Sequence, residues 1–244
     1  MQPELGLTRN VVRRNHALVT PDGLVPSSLP GWVRCTPYVL ISSAMGARFS
    51  QLLIDLEDGG EGHGYTGGDQ WFFYVLRGGG KCNGKKLSAG SFVFVPADSW
   101  YEFNGTQADT RVLVFRKTWE HTADESDESP TFFVGHADDA PEAPFLGDER
   151  VRLKTLLTDT PGMDMAVNIL AFDPGATLPA VETHVMEHGV LFLEGSGVYR
   201  LGDDWHPVAA GDTLWIASYC PQWFIAAGPG PARYLYYKDV NRLP

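Results

Sequence analysis

The stretch Glu182-Thr183-His184-Val185-Met186-Glu187-His188, with Gln222 forty positions after Glu182, is where residue types and spacing could do chemistry. A carboxylate and two imidazoles fall within seven positions, and both types bind divalent metal ions well. If the stretch forms a β-strand, residues 182, 184 and 188 share parity and point to one face of a sheet. Val190 and Phe192 continue that face inward. A single histidine there would read as a polar residue of a sheet. Glu182, His184 and His188 together read as a metal site held on a strand.

The elements that must position these residues are strands. The chain has 244 residues, 43% of them hydrophobic, with 27 glycines and 17 prolines. Many short strands joined by turns suit that composition. Strand patterns run at 38–41, 48–56, 71–76, 91–95 and 111–115, and again at 165–172, 189–193, 197–201, 213–216 and 234–237. Residues 7–34 are polar and turn-rich, and read as an arm laid over the surface. Residues 119–147 turn acidic and proline-rich, which suits a linker. The expected division is an N-terminal unit with its arm at 1–125, a linker at 126–147, and a C-terminal unit at 148–244.

The two halves repeat each other. Trp71 through Gly78 aligns with His188 through Gly195. Asn83-Gly84 answers Gly202-Asp203, and Ala89-Gly90-Ser91 answers Ala210-Gly211-Asp212. Each half therefore reads as one β unit with the same strand order, a double-sheet jelly roll rather than a meander. The N-terminal counterparts of the candidate ligands are Tyr65, Gly67, Trp71 and Tyr101. None is a good ligand, so that half is expected to be free of metal.

Composition excludes some roles. The net charge is -11 with no large Lys/Arg cluster, so neither nucleic acid nor an anionic membrane surface is an expected partner. Cys35, Cys82 and Cys220 are odd in number and widely spaced, which indicates no disulfide framework. Cys220 reads as a small buried residue. Residues 1–6 show no signal-peptide pattern, and no apolar run is long enough to span a bilayer, so a cytoplasmic location is expected.

These motifs resemble the cupins. The superfamily's first motif appears as Gly175, Glu182, His184, His188 and Gly195, with Glu placed first. The second begins at Gly211 and sets Gln222 where a last metal-binding histidine would stand. Ala217 and Tyr219 replace the motif's Pro and Gly. The match deepens at 182–188, at Pro221 to Phe224, at Tyr234 to Arg242, and near the N-terminus at Asn15 to Leu18 and Leu29 to Trp32. There the chain is similar to the bicupin (S)-ureidoglycine aminohydrolases.

The resemblance implies an all-β bicupin of two jelly-roll barrels. It implies hydrolysis of (S)-ureidoglycine, a small-molecule substrate, to (S)-ureidoglycolate and ammonia in ureide (allantoin) breakdown. It implies Mn2+ held by Glu182, His184, His188 and Gln222, catalytic or substrate contacts at Glu182, Tyr199, Tyr234 and Lys238, and a homo-oligomer. Read alone, Tyr199 would be a core aromatic and Lys238 a strand end reaching solvent. The ligand spacing alone would also admit iron or nickel. A different metal-dependent bicupin such as an oxygenase, or a non-catalytic ligand-binding cupin, are the competing readings.

Overall fold

The computed structural model describes residues 8–120, 130–158 and 162–240. The described residues are built almost wholly from antiparallel strands, with two single 3₁₀ turns at Pro21–Gly23 and Ser43–Met45. A nine-stranded sheet carries the N-terminal half and an eight-stranded sheet carries the C-terminal half. A three-stranded sheet of Asp204–Ala209, Ser196–Leu201 and Gln222–Ala226 closes the C-terminal barrel. In the N-terminal half the long strand Ser50–Tyr65 closes the barrel itself. It pairs with Thr110–Thr118 at one end and with Trp100–Gly105 at the other. The jelly-roll architecture expected from the repeats is the one observed.

The central strands are hydrophobic on both faces because both faces are buried. In His188–Glu194, Val190 and Phe192 enter the core of the C-terminal barrel, and Leu191 enters a third core shared by both halves. In Asp69–Arg77, Trp71, Phe73 and Val75 fill the N-terminal barrel, while Phe72 and Tyr74 join the shared core. Side chains alternate across a strand, so one apolar run serves two cores. Phe49 lies 4.3 Å from Tyr237 ring to ring, and Phe115 lies 5.5 Å from the same ring. Gly189 sits at this seam, where an added Cβ would come within 2.5 Å of the Phe49 ring. Only a residue without a side chain lets the two sheets approach so closely.

The two halves also exchange short strands. His16–Val19, in the stretch expected to lie over the surface, pairs with Thr213–Ile216 and extends the C-terminal sheet. Its Ala17 and Leu18 are buried in the shared core and the C-terminal core. Burying those two side chains favours sheet addition over a surface arm. Within the stretch expected as a linker, Phe133–His136 pairs with Ser91–Val95 of the N-terminal sheet, and Glu142–Phe145 pairs with Asp148–Leu157 of the C-terminal sheet. Residues 121–129, which carry most of the acidic run, lie outside the described residues.

Candidate metal centre and its cavity

The strand carrying the histidines begins at His188. Residues 182–187 are irregular, contrary to the strand expected there, so shared parity is not what brings their side chains together. Backbone bonds to the neighbouring chain do so instead. Glu182 and Gln222 exchange N–H···O bonds of 2.8 and 2.9 Å, and the Tyr219 amide donates to the His184 carbonyl at 2.7 Å. Glu182 and His184 are thereby fixed to the start of Gln222–Ala226, opposite His188.

The structure brings these side chains to one cavity. A cavity of about 160 Å³ is lined by Glu182, His184, His188 and Gln222, and also by Tyr199, Tyr234 and Lys238. The two imidazole Nε2 atoms are 3.3 Å apart. Each ring uses Nδ1 on a backbone carbonyl, His184 on Met186 at 3.1 Å and His188 on Tyr237 at 3.2 Å. A carbonyl only accepts, so Nδ1 carries the proton in both rings and both Nε2 lone pairs face inward. Two lone pairs at that distance repel unless a cation lies between them. This tautomer fixed by a backbone acceptor is the usual outer partner of a metal-bound histidine. The residues present therefore fit a divalent ion.

Electrostatics support the same reading. Burial, with the His184 ring beside it, pushes the His188 imidazole down to about 3. Burial also lowers His184. Both rings are thus neutral ligands at physiological pH. Burial raises the Glu182 carboxyl above its ordinary value, and the Lys238 ammonium opposes that rise. Lys238 is the register partner of His188 on the adjacent strand Ala232–Asp239, so the ammonium and the imidazole rise from one edge of the cavity. The Glu182 oxygens do not come within 4.8 Å of both imidazole nitrogens, which sets the carboxylate slightly apart from the histidine pair.

Tyr199 bonds directly to a neighbouring candidate ligand. Its hydroxyl donates to Gln222 Oε1 at 3.0 Å, while the Gln222 amide nitrogen stands 3.1 Å from His184 Nε2. Tyr199 thus orients Gln222 as well as lining the cavity. Burial raises the pKa of both Tyr199 and Tyr234, so each is a neutral hydrogen-bonding phenol. Tyr234, Tyr236 and Lys238 reach the cavity and Tyr237 points into the shared core, as their parity requires. Cys220 is buried, and burial raises its thiol.

Glu187 is buried beside His188. The Arg48 backbone amide donates to it at 3.1 Å, Arg48 Nε at 3.2 Å and Trp215 Nε1 at 2.9 Å. Arg48 also reaches Asp239 at 2.5 Å. Residue 48 belongs to the N-terminal half, so this network ties that half to the residue next to His188. Local sequence gave no sign of it, because Glu187 and Arg48 are 139 positions apart.

In the N-terminal barrel aromatic side chains fill the corresponding space. Trp71 occupies the place of His188 and packs 5.2 Å from Tyr101, which stands in for Gln222. Trp32 Nε1 donates to the Tyr101 hydroxyl at 3.1 Å, and Phe73 and Phe103 complete the stack. Among the described residues, no group of three His, Cys, Asp or Glu side chains lies within ligand distance there.

Comparison with known proteins agrees with this architecture. The profile of the cupin domain matches residues 168–237. A probable (S)-ureidoglycine aminohydrolase of Oryza sativa subsp. japonica is 38% identical over 98% of this chain and 77% of its own length. The (S)-ureidoglycine aminohydrolase of Escherichia coli K12 is 35% identical over 98% of this chain and 94% of its own. The crystal structure of a putative glyoxylate-induced protein from Pseudomonas aeruginosa superposes with a TM-score of 0.88 at 31% identity, covering 99% of this chain and 94% of that one. Two barrels in one chain, a polar cavity in the second and identity sustained across both halves place this chain in the (S)-ureidoglycine aminohydrolases, a family of enzymes built on the cupin fold.

Proposed function

We propose that this enzyme hydrolyses (S)-ureidoglycine to (S)-ureidoglycolate and ammonia, with Mn2+ held by Glu182, His184, His188 and Gln222. The observation that carries this reading is the pairing of His188 with Lys238 at one edge of a small polar cavity. A donor set of imidazoles, carboxylate and amide is hard to borderline and suits manganese better than a closed zinc site. Bound there, the ion would supply Lewis-acid polarisation of the scissile C–N bond.

The protein's own groups do the rest. The cavity is smaller than the roughly 300 Å³ or more typical of drug-sized ligands, so it selects a compact substrate. Lys238 meets the substrate carboxylate, and Tyr234 packs and hydrogen-bonds beside it. Together they hold the stereocentre in one orientation. Water adds to the α-carbon as the C–N bond breaks. Glu182, acting through its carboxylate, accepts a proton from that water and returns one to the departing amine. Tyr199 holds the Gln222 amide. Turning that amide over presents its oxygen to the ion and its NH2 to the Tyr199 hydroxyl, which accepts as readily as it donates.

We also propose a homo-oligomer, supported by open sheet edges such as Glu142–Phe145 and Lys85–Ser88. The deciding experiment for the activity measures ammonia released from freshly generated (S)-ureidoglycine by protein stripped of metal and reloaded with Mn2+. Release well above the spontaneous rate, lost in His188→Ala, is expected. Release no faster than buffer would overturn the reading.

A further inference from the structure

A second group of potential ligands lies outside the cavity. His16, Asp204 and His206 bring one ligand atom each within 4.8 Å of the others, and they are the sole such trio among the described residues. His16 opens the N-terminal strand His16–Val19. Asp204 and His206 lie two apart on Asp204–Ala209, so they share a face. His16 and His206 are both buried, whereas Asp204 is half-exposed.

The distances are those of a coordination shell. His16 Nε2 lies 3.3 Å from His206 Nε2 and 3.5 Å from Asp204 Oδ2. An ion with tetrahedral ligands at about 2.0–2.1 Å sets neighbouring ligand atoms about 3.3–3.4 Å apart. The same nitrogen-to-nitrogen distance, 3.3 Å, separates His184 from His188. His16 Nδ1 faces Asn15 Oδ1 at 3.1 Å, an acceptor that fixes the proton on Nδ1. The Nε2 lone pair then points at a second imidazole and a carboxylate oxygen, where a cation would meet all three donor atoms. Arg13 Nε bonds the same Asp204 oxygen at 3.0 Å, which leaves that oxygen a second lone pair and orients it as an outer partner does.

We propose that His16, Asp204 and His206 form a second, structural divalent-metal site of zinc type, with water as the fourth ligand. Ligands 190 positions apart would be joined by one ion. Its effect is to clip the N-terminal strand to the C-terminal barrel, where Ala17 and Leu18 are already buried. Two histidines and one carboxylate in a tetrahedral shell favour Zn2+ over Mn2+, so the two sites would take different ions.

The test separates this site from the cavity. Full-length protein carrying His184→Ala and His188→Ala is stripped with chelator, dialysed against Zn2+ and assayed for metal. One Zn2+ per chain is expected, and adding His206→Gln should weaken its binding by at least about 10-fold. Adding Asp204→Asn in place of His206→Gln should also weaken it, and this exposed substitution leaves the core intact. Hydrogen exchange gives an independent readout. Zn2+ should slow exchange of the amides in residues 16–19 in the two-histidine variant and not once His206 is changed. No retained Zn2+, or binding that survives both His206→Gln and Asp204→Asn, would overturn the proposal.

Discussion

Replacing Lys238 with methionine isolates one charge in the cavity. The stem volume is nearly kept and the ammonium is removed. That ammonium acts on Glu182, His184 and His188 alike, lowering all three pKa values. A field that repels protons from the imidazoles also repels a divalent cation. Lys238→Met should therefore leave manganese loading unchanged or raise it. Catalysis should move the other way. Losing one charged contact to a substrate carboxylate in a desolvated site weakens transition-state binding by roughly 2–4 kcal/mol. At 1.36 kcal/mol per decade that is a roughly 30- to 900-fold fall in kcat/KM. Metal content and ammonia-release kinetics are measured together, with Tyr237→Phe as the control whose ring faces the shared core. A fall mostly in kcat would mean the contact strengthens in the transition state, and a rise mostly in KM would mean it serves binding alone. Near-normal kinetics in Lys238→Met would refute the reasoning, and so would loss of the metal, which would make the lysine a structural support.

Three further outcomes are expected. His184→Ala or His188→Ala should remove most of the bound manganese, while Gln222→Ala should remove less, because an amide oxygen is the weakest donor of the set; elemental analysis that ranks Gln222→Ala with the histidines would contradict this. In metal-free protein, folded His188 stays neutral down to about 3, whereas the unfolded ring takes a proton below its ordinary 6.5. Acid between those values favours the unfolded chain, so stability falls as pH falls. From pH 7 to 5 the loss is about 2 kcal/mol, and denaturant melts of His188→Gln should show a shallower dependence. Glu187→Ala leaves the Trp215 and Arg48 donors unpaired and should cost about 2–3 kcal/mol in the same melts, with Glu187→Gln milder because its oxygen still accepts. A Glu187→Ala protein as stable as wild type would show that the network carries no net energy.

The sequence made some of this legible and hid the rest for physical reasons. The strand expected at 234–237 is regular over Ala232–Asp239, so alternation sets Tyr234, Tyr236 and Lys238 on the cavity side and Tyr237 in the shared core. Parity failed at 182–187, where Thr183 and Val185 suit a strand and no glycine or proline marks a break. The irregular path there is set by bonds to Gln222 and Tyr219, which no local pattern records. His16–Val19 is only four residues long, too short for periodicity to show, and its partner strand lies about two hundred positions away. The His16, Asp204 and His206 group was invisible for the same reason. Long-range pairing brings it together, and neither short segment carries a ligand motif by itself.

The glycines that define the repeat explain why one fold can host two unlike interiors. Gly78 and Gly195 have φ of 75° and 74°, and Gly90 and Gly211 have φ of 89° and 91°. These turns therefore take matching backbone conformations in both halves, while the inward side chains differ. In the N-terminal barrel those positions hold Trp71 and Tyr101, whose rings pack together. In the C-terminal barrel His188 and Gln222 replace them, and the volume given up becomes the cavity. Burying polar groups there is unfavourable unless each is satisfied, so the cavity depends on backbone acceptors and on Tyr199. The N-terminal half offsets that burden in two ways. It packs an aromatic surface against the back of the site strands, and through Arg48 it holds Glu187, the residue adjoining His188. The N-terminal barrel thus contributes to the candidate site by fixing the chain that carries His188.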